Sequence, residues 1–376
     1  MINPLKTYKY FTILILISLS FHSQAQFRKY SNEFLNIGAG ARGLAMGSAQ
    51  AASTKDGTAG YWNPAGLINV HTNTQVNLMH SEYFAGIGKY DFANVTIPTA
   101  NQKNALGVTA LRFAVDDIPN TLFLVEPDGT INYNNISTFS STDYGFLLSY
   151  ARKLKSAENK NVNFGINAKV IHRGVGSFAK AWGFGFDAGL QIQKRKWQFG
   201  IVGKDITTTF NTWAFNFTDK EKEVLYLTKN DIPVKSTELT SPRLVLAAAK
   251  SFSLSKKSNL LAEANFDVTF DGKRNTIASF DPVSIDPKIG LEYSFRDIFF
   301  LRGGINNFQQ ALADGDTLNQ KKVWIYQPSA GVGFRIGSVF VDYAFANLAN
   351  QSNPLFTHVF SLRLDFGRRD KKQSIK

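Results

Sequence analysis

The chain has no cysteine in its 376 residues. That absence excludes a disulfide framework and lipid attachment through cysteine. Proline is scarce, at 11, and beyond residue 25 no run of 18 apolar residues occurs, so that part offers no transmembrane helix. Histidine is sparse too. Past residue 25 the chain has His71, His80, His172 and His358, and no two of them stand at metal-ligand spacing. His80 and Glu82 share a strand face and read as an inner-wall polar pair. There is no G-x-S-x-G elbow for a nucleophile. The expectation is a non-enzyme with no metal and no cofactor. The formal charge is +13, but no basic–aromatic module accompanies it, so no nucleic-acid partner is expected.

What is present starts with a leader. Lys6 and Lys9 precede the apolar run Phe11 to Phe21, and Ser23-Gln24-Ala25 supplies small residues for cleavage after Ala25. Residues 1–25 therefore read as a signal peptide and the remainder as an exported protein. Aromatics make up 13% of the chain, including 32 Phe, and Gly numbers 29. This mixture suits a membrane β-barrel, and equally an ordinary secreted β-protein, so the pattern along the chain has to decide.

That pattern has period two. Leu260, Ala262, Ala264, Phe266, Val268 and Phe270 alternate with Leu261, Glu263, Asn265, Asp267 and Thr269. Segments 182–192 and 356–366 do the same. On a helix these apolar positions would wind around every face. Fourteen such segments follow one another from residue 72, an even number as a closed bacterial barrel needs. Every second connection is short, as at 98–103, 153–160, 194–195 and 253–257. The others are mostly long, the longest being 205–240. The short turns carry Lys103, Lys153, Lys155, Lys160, Lys194, Arg195, Lys196, Lys256 and Lys257, read mainly as solvated charges that keep strand edges apart. Gly145, Gly165, Gly183, Gly185, Gly189, Gly290, Gly303, Gly304, Gly331 and Gly333 are read as leaving room on the inner wall, or as relieving strand curvature.

Two stretches stand apart. The long connection holds Phe210, Trp213, Phe215 and Phe217 ahead of "TDKEKEVLYL", which is either a partner-binding loop or a loop that buries its own aromatics. The N-terminal block "FLNIGAGARGLAMGSAQAASTKDGTAGYWNPAGL" is too small-residued for a core of its own and too apolar for a linker. It needs a surface to pack on, and the lumen of the following barrel is the nearest. Its Gly38-x-Gly40-x-x-Gly43 matches a dinucleotide fingerprint by letters alone, without the βαβ unit that the fingerprint requires. Close packing through Gly38, Gly40, Arg42, Gly43, Tyr61 and Trp62 is the expectation instead. Asn63-Pro64-Ala65-Gly66 reads as a fixed turn: Pro64 locks φ, Asn63 is pushed to an extended conformation, and its amide bonds nearby backbone. Ala65 and Gly66 would lie against the wall, with Tyr61 and Trp62 wedged there.

"FLNIGAGARGLAMGSAQAAS" and "AGYWNPAGL" resemble the N-terminal signature of the PorV/PorQ family, outer-membrane proteins of the type IX secretion system of Bacteroidetes. The form around Asn63-Pro64 resembles a PorV-like paralogue. The resemblance covers roughly residues 30–70. It implies a FadL-like fold: an all-β, fourteen-stranded antiparallel transmembrane barrel with an N-terminal hatch or plug in the lumen. The division expected is a hatch at 26–71, a barrel at 72–367 and a basic periplasmic tail at 368–376. The family implies an outer-membrane role in exporting proteins with a C-terminal sorting signal. Its partners would be outer-membrane lipid and type IX translocon proteins or such cargo, bound through extracellular loops. The alternative is FadL-like transport of hydrophobic small molecules. A third reading, lipid A modification, finds no residues here to carry its chemistry.

Overall fold

The computed structural model describes residues 31–126, 128–157, 160–233, 235–313, 321–347 and 356–368. The expected signal peptide and the tail beyond Arg368 lie outside the described residues. The strands are β1 (Thr72–Tyr83), β2 (Gly88–Pro98), β3 (Asn104–Asn120), β4 (Ser137–Ala157), β5 (Lys160–Val175), β6 (Ala179–Lys194), β7 (Trp197–Lys204), β8 (Thr209–Phe215) and β9 (Lys235–Thr240). They continue as β10 (Arg243–Ser253), β11 (Ser258–Thr269), β12 (Ala278–Ser279), β13 (Ser284–Phe295), β14 (Phe299–Leu312), β15 (Lys322–Ile336), β16 (Val339–Ala346) and β17 (Thr357–Arg368).

Fourteen of them close into one antiparallel barrel. Each pairs with the next in the chain, β7 pairs with β10, β11 with β13, and β17 returns to β1 with Leu78 opposite Leu362. Closure leaves no wall strand with an unpaired edge, which is what a hydrocarbon solvent demands. The remaining three strands lie in long connections. β8 and β9 form a hairpin whose first strand pairs with the upper half of β6, and β12 is a two-residue pairing with β13. One end of the barrel has short turns and the entry to β1, and the other has the long connections together with the tight β1–β2 and β5–β6 turns.

The alternation sorts by solvent. Outward positions hold Leu106, Val108, Leu148, Phe184, Phe186, Leu291 and Phe360, all exposed. In water so continuous an apolar belt would aggregate, whereas lipid suits it. Inward positions hold Asn94, Thr109, Asn167, Asp187, Gln191 and Glu263, all buried. The His80–Glu82 pair corrects the sequence reading. These two residues face outward, half exposed, and His80 Nδ1 lies 2.7 Å from the outward-facing Asp91. Gly303 is also corrected. It alternates with Gly304, so Gly304 faces the lumen and Gly303 faces away from it, with its nearest non-neighbour atom 3.9 Å from where a Cβ would sit.

Candidate functional site

The lumen is occupied by residues 31–71. Ser31 and Asn32 begin at the long-loop end, where Ser31 Oγ donates to Glu238 at 3.2 Å and Asn211 donates to Asn32 Oδ1 at 2.8 Å. The segment ends at His71, beside the start of β1. Between these points it has only short helical turns, at Glu33–Asn36, Ala41–Ala45, Ala59–Trp62 and Pro64–Asn69. Such short pieces cannot stand alone, and tertiary packing holds them. Ala39, Ala41, Ala45, Met46, Ala52, Ala59, Ala65 and Leu67 have no exposed surface.

Glycines on the wall make this fit possible. A Cβ on Gly165 would lie 2.3 Å from the Ala65 nitrogen, and one on Gly304 would lie 2.1 Å from the Gly47 nitrogen. Both would collide with backbone, which cannot swing aside as a side chain can. Gly290 meets the Met46 carbonyl likewise, and Gly145, Gly189 and Gly331 leave room for the side chains of Leu35, Asn63 and Ala45, while Gly183 and Gly185 make room for Asn211 and Thr209 of the β8–β9 hairpin. The inner-wall glycines thus accommodate two inserts, and the sequence reading had foreseen one.

Polar contacts fix the segment all round the wall. The Ala41 amide donates to Ser361 Oγ at 2.7 Å, the Ala52 amide to Glu263 at 2.8 Å and the Gly57 amide to Gln75 at 2.7 Å. Asn167 donates to the Gly60 carbonyl, and Gln191 to the carbonyls of Ala52 and Thr54. A row of wall amides and carboxylates thereby satisfies backbone groups that the short turns leave unpaired.

One anchor is ionic. Arg42 grips Glu292 with two nitrogens, at 2.7 and 3.1 Å, and also reaches Gln50 at 2.9 Å. Glu292 accepts a further bond from Arg302 at 2.7 Å, and Arg302 reaches Asp342 at 2.6 Å. Burial opposes the Arg42 charge, but Glu292 prevails and holds its pKa above the ordinary arginine value. Tyr61 is pushed up by burial.

The turn at Asn63 matches its sequence expectation. Asn63 is extended (φ −158°, ψ 104°), its Oδ1 accepts from the Ala65 amide at 3.2 Å, and Pro64 occupies the first helical turn. Its Nδ2 donates to the carbonyls of Ala51 at 2.8 Å and Leu190 at 3.0 Å, joining the turn to the segment and to β6. Ala65 lies against wall residue Gly165, whereas Gly66 packs on Thr54 of the segment itself. Tyr61 and Trp62 also bind within the segment. The Tyr61 hydroxyl donates to the Leu35 carbonyl and the Trp62 indole to the Ala39 carbonyl, both at 2.8 Å. The indole covers Gly43, where a Cβ would stand 2.7 Å from the ring, and approaches Gly38. Gly38 and Gly40 have φ of 115° and 81°. Gly43 and Gly38 of the Gly-x-Gly-x-x-Gly string therefore bed the indole, and Gly40 packs on Thr58.

The aromatics of 210–217 alternate across β8. Phe210 faces outward beside Phe184, while Trp213 is buried with Ala179 and Ala181 under the Arg173 guanidinium. Phe215 packs partly against that cluster, and Phe217 lies by Phe178. Sequence reasoning missed the hairpin and the helix Asp219–Leu227 beyond it. That helix opens on a capping box, Thr218 with Glu221, and the spacing "TDKE" was there to reveal it.

Two cavities flank the lumen segment. The one at the turn end measures about 990 Å³ and is bordered by Lys55, Asp56, Gln75, Phe300, Phe340 and Arg363. The one at the long-loop end measures about 300 Å³ and is bordered by Glu33, Asn36, Arg243, Thr269, Asp286 and Asn306. The first is lined about equally by polar and apolar atoms and the second mainly by polar ones. Among the described residues no group of three or more His, Asp or Glu is placed to hold a metal ion.

No family model and no curated protein matches the sequence. Solved structures do match in fold. The CymD monoaromatic hydrocarbon channel superposes with a TM-score of 0.55 at 14% identity, covering 91% of this chain and 99% of that one. The Ralstonia pickettii toluene transporter TbuX gives 0.53 at 12%, covering 88% and 98%. The Pseudomonas putida toluene transporter TodX gives 0.52 at 11%, covering 92% and 100%. The chain has the FadL-like barrel fold of these channels.

Proposed function

We propose that the chain is a FadL-type outer-membrane channel for small molecules, with residues 31–71 as its gate. One observation carries the reading: a discrete segment, seated on glycines and held by a limited set of polar bonds, separates two cavities at opposite ends of the barrel. The apolar outer wall supports an outer-membrane location, with lipid as its surroundings. The permeants of the channels that match in fold, toluene and monoaromatic hydrocarbons, make hydrophobic small molecules the first class to test. A strain lacking the gene should take up toluene more slowly while secreting proteins normally. Normal uptake of hydrophobic compounds in that strain would reject the hydrophobic permeant.

A second reading is a partner-binding barrel of the type IX secretion system. The N-terminal signature favours it, as does the helix Asp219–Leu227, which has no buried residue and exposes Tyr226 and Leu227 by 79% and 69%. Pull-down from native membranes should then recover translocon proteins or cargo with a sorting signal. Recovery of neither would reject it.

A further inference from the structure

We propose that the outer face of the barrel beside the β6–β7, β10–β11 and β13–β14 turns binds the headgroup of an anionic phospholipid. The β6–β7 turn carries Lys194, Arg195 and Lys196 in a row, and the other two carry Lys256, Lys257 and Arg296, all exposed. Backbone bonds hold the three turns side by side. The Ser251 amide donates to the Lys196 carbonyl at 2.9 Å, and the Arg296 amide donates to the Lys257 carbonyl at 2.6 Å. Among the described residues none of these six cations forms an ion pair, and Asp297 is the one acid in the three turns. Like charges on adjoining turns repel one another, so an anion placed among them is stabilised.

A seventh cation carries the patch from the turns onto the lipid-facing wall. Lys250 stands opposite Trp197 on the neighbouring strand, and its Nζ lies 4.7 Å from the Trp197 ring and 5.1 Å from the Phe252 ring. An ammonium held on two rings keeps its stem along apolar surface and its head at the interface. Trp197, Phe252 and Leu254 are themselves exposed, and Trp197 stacks with the outward Phe199 at 5.9 Å. Such aromatic rings mark the headgroup level of a bilayer, and the short-turn end of an outer-membrane barrel faces the periplasmic leaflet. The face thus sets apolar surface for acyl chains directly beside ammonium and guanidinium donors for a phosphate. A zwitterionic headgroup would bring its own ammonium into the cluster, whereas phosphatidylglycerol and cardiolipin bring only negative charge. A soluble acidic protein would leave the exposed rings unused.

Binding here needs the membrane location but not a conducting lumen, so this site and the channel reading fail separately. The test uses the full chain in detergent micelles doped with equal amounts of phosphatidylethanolamine, phosphatidylglycerol and cardiolipin. Native mass spectrometry reads which lipids stay bound. Retention of phosphatidylglycerol or cardiolipin should exceed that of phosphatidylethanolamine tenfold or more. Lys194→Gln, Lys196→Gln and Lys257→Gln combined should remove most of that preference. Lys153→Gln, Lys155→Gln and Lys160→Gln combined take the same charge from the β4–β5 turn and should leave the preference in place. Heat-modifiable gel migration verifies that both variant barrels are folded. Equal retention of the three lipids would overturn the inference and leave the patch to another anion, an acidic protein among them. Equal loss in the two triple variants would overturn it as well, because the preference would then belong to the net charge of the barrel end rather than to this face.

Discussion

Replacing Arg42 with methionine keeps an apolar stem and removes the charge that ties the lumen segment to the wall. The side chains of Arg42 and Glu292 are only 12% and 10% exposed, so their bonds are made with little competition from water. Losing one partner of a buried ion pair costs about 3–5 kcal/mol when the other is stranded. Here Glu292 stays paired with Arg302, which lowers the penalty toward that of a lost charged hydrogen bond, so about 2–3 kcal/mol is the better figure. At 1.4 kcal/mol per tenfold, the unseated population of the segment should rise roughly 30- to 150-fold. The barrel itself keeps its strand pairing, because Arg42 belongs to no strand. Planar-bilayer recording should show frequent openings in Arg42→Met and rare ones in the native protein. A folded variant with native conductance would refute the claim that this ion pair holds the gate.

Three further predictions follow from the same geometry. Gly304→Ala should unseat the segment and make it sensitive to protease, whereas Gly303→Ala, one residue away on the opposite face, should be silent. Equal behaviour of the two would argue against the close-packed lumen. Pro64→Ala should loosen the turn after Asn63 by about 1 kcal/mol through unfolded-chain entropy and raise entry of large antibiotics, measured as growth inhibition with the barrel intact. Deleting the exposed helix 219–227 should leave the thermal stability of the barrel unchanged, read by heat-modifiable migration, because no residue of it is buried.

The barrel was legible in the sequence because its cause is local. Period two assigns each residue a face, and the alternation of short and long connections orders the strands. The turn at Asn63 was legible for the same reason, since the constraint that Pro64 places on its neighbour acts across one bond. The ion anchor was not, because Arg42 and Glu292 are 250 positions apart and no local pattern links them. Gly303 and Gly304 show a finer limit: two adjacent glycines are equivalent as letters, and only strand parity tells which one meets Gly47. Tyr61 and Trp62 share a buried cluster with wall residues such as Met79, Tyr90 and Leu111, while their polar atoms bind carbonyls of the segment, partners that become neighbours only once the chain doubles back in the lumen. The hairpin went unseen because short strands inside a long connection carry few alternating positions. The outward placement of His80 and Glu82 also escaped, since polar residues on a barrel strand default to the lumen until register fixes the face.

The lack of native cysteine makes a direct test of the gate clean. Ala41→Cys and Ser361→Cys replace a segment residue and a wall residue whose amide and hydroxyl are 2.7 Å apart. With the double variant in proteoliposomes, small-molecule uptake should cease when the disulfide is oxidised and return on reduction. Uptake that continues unchanged across a fully formed disulfide would contradict a gate formed by residues 31–71.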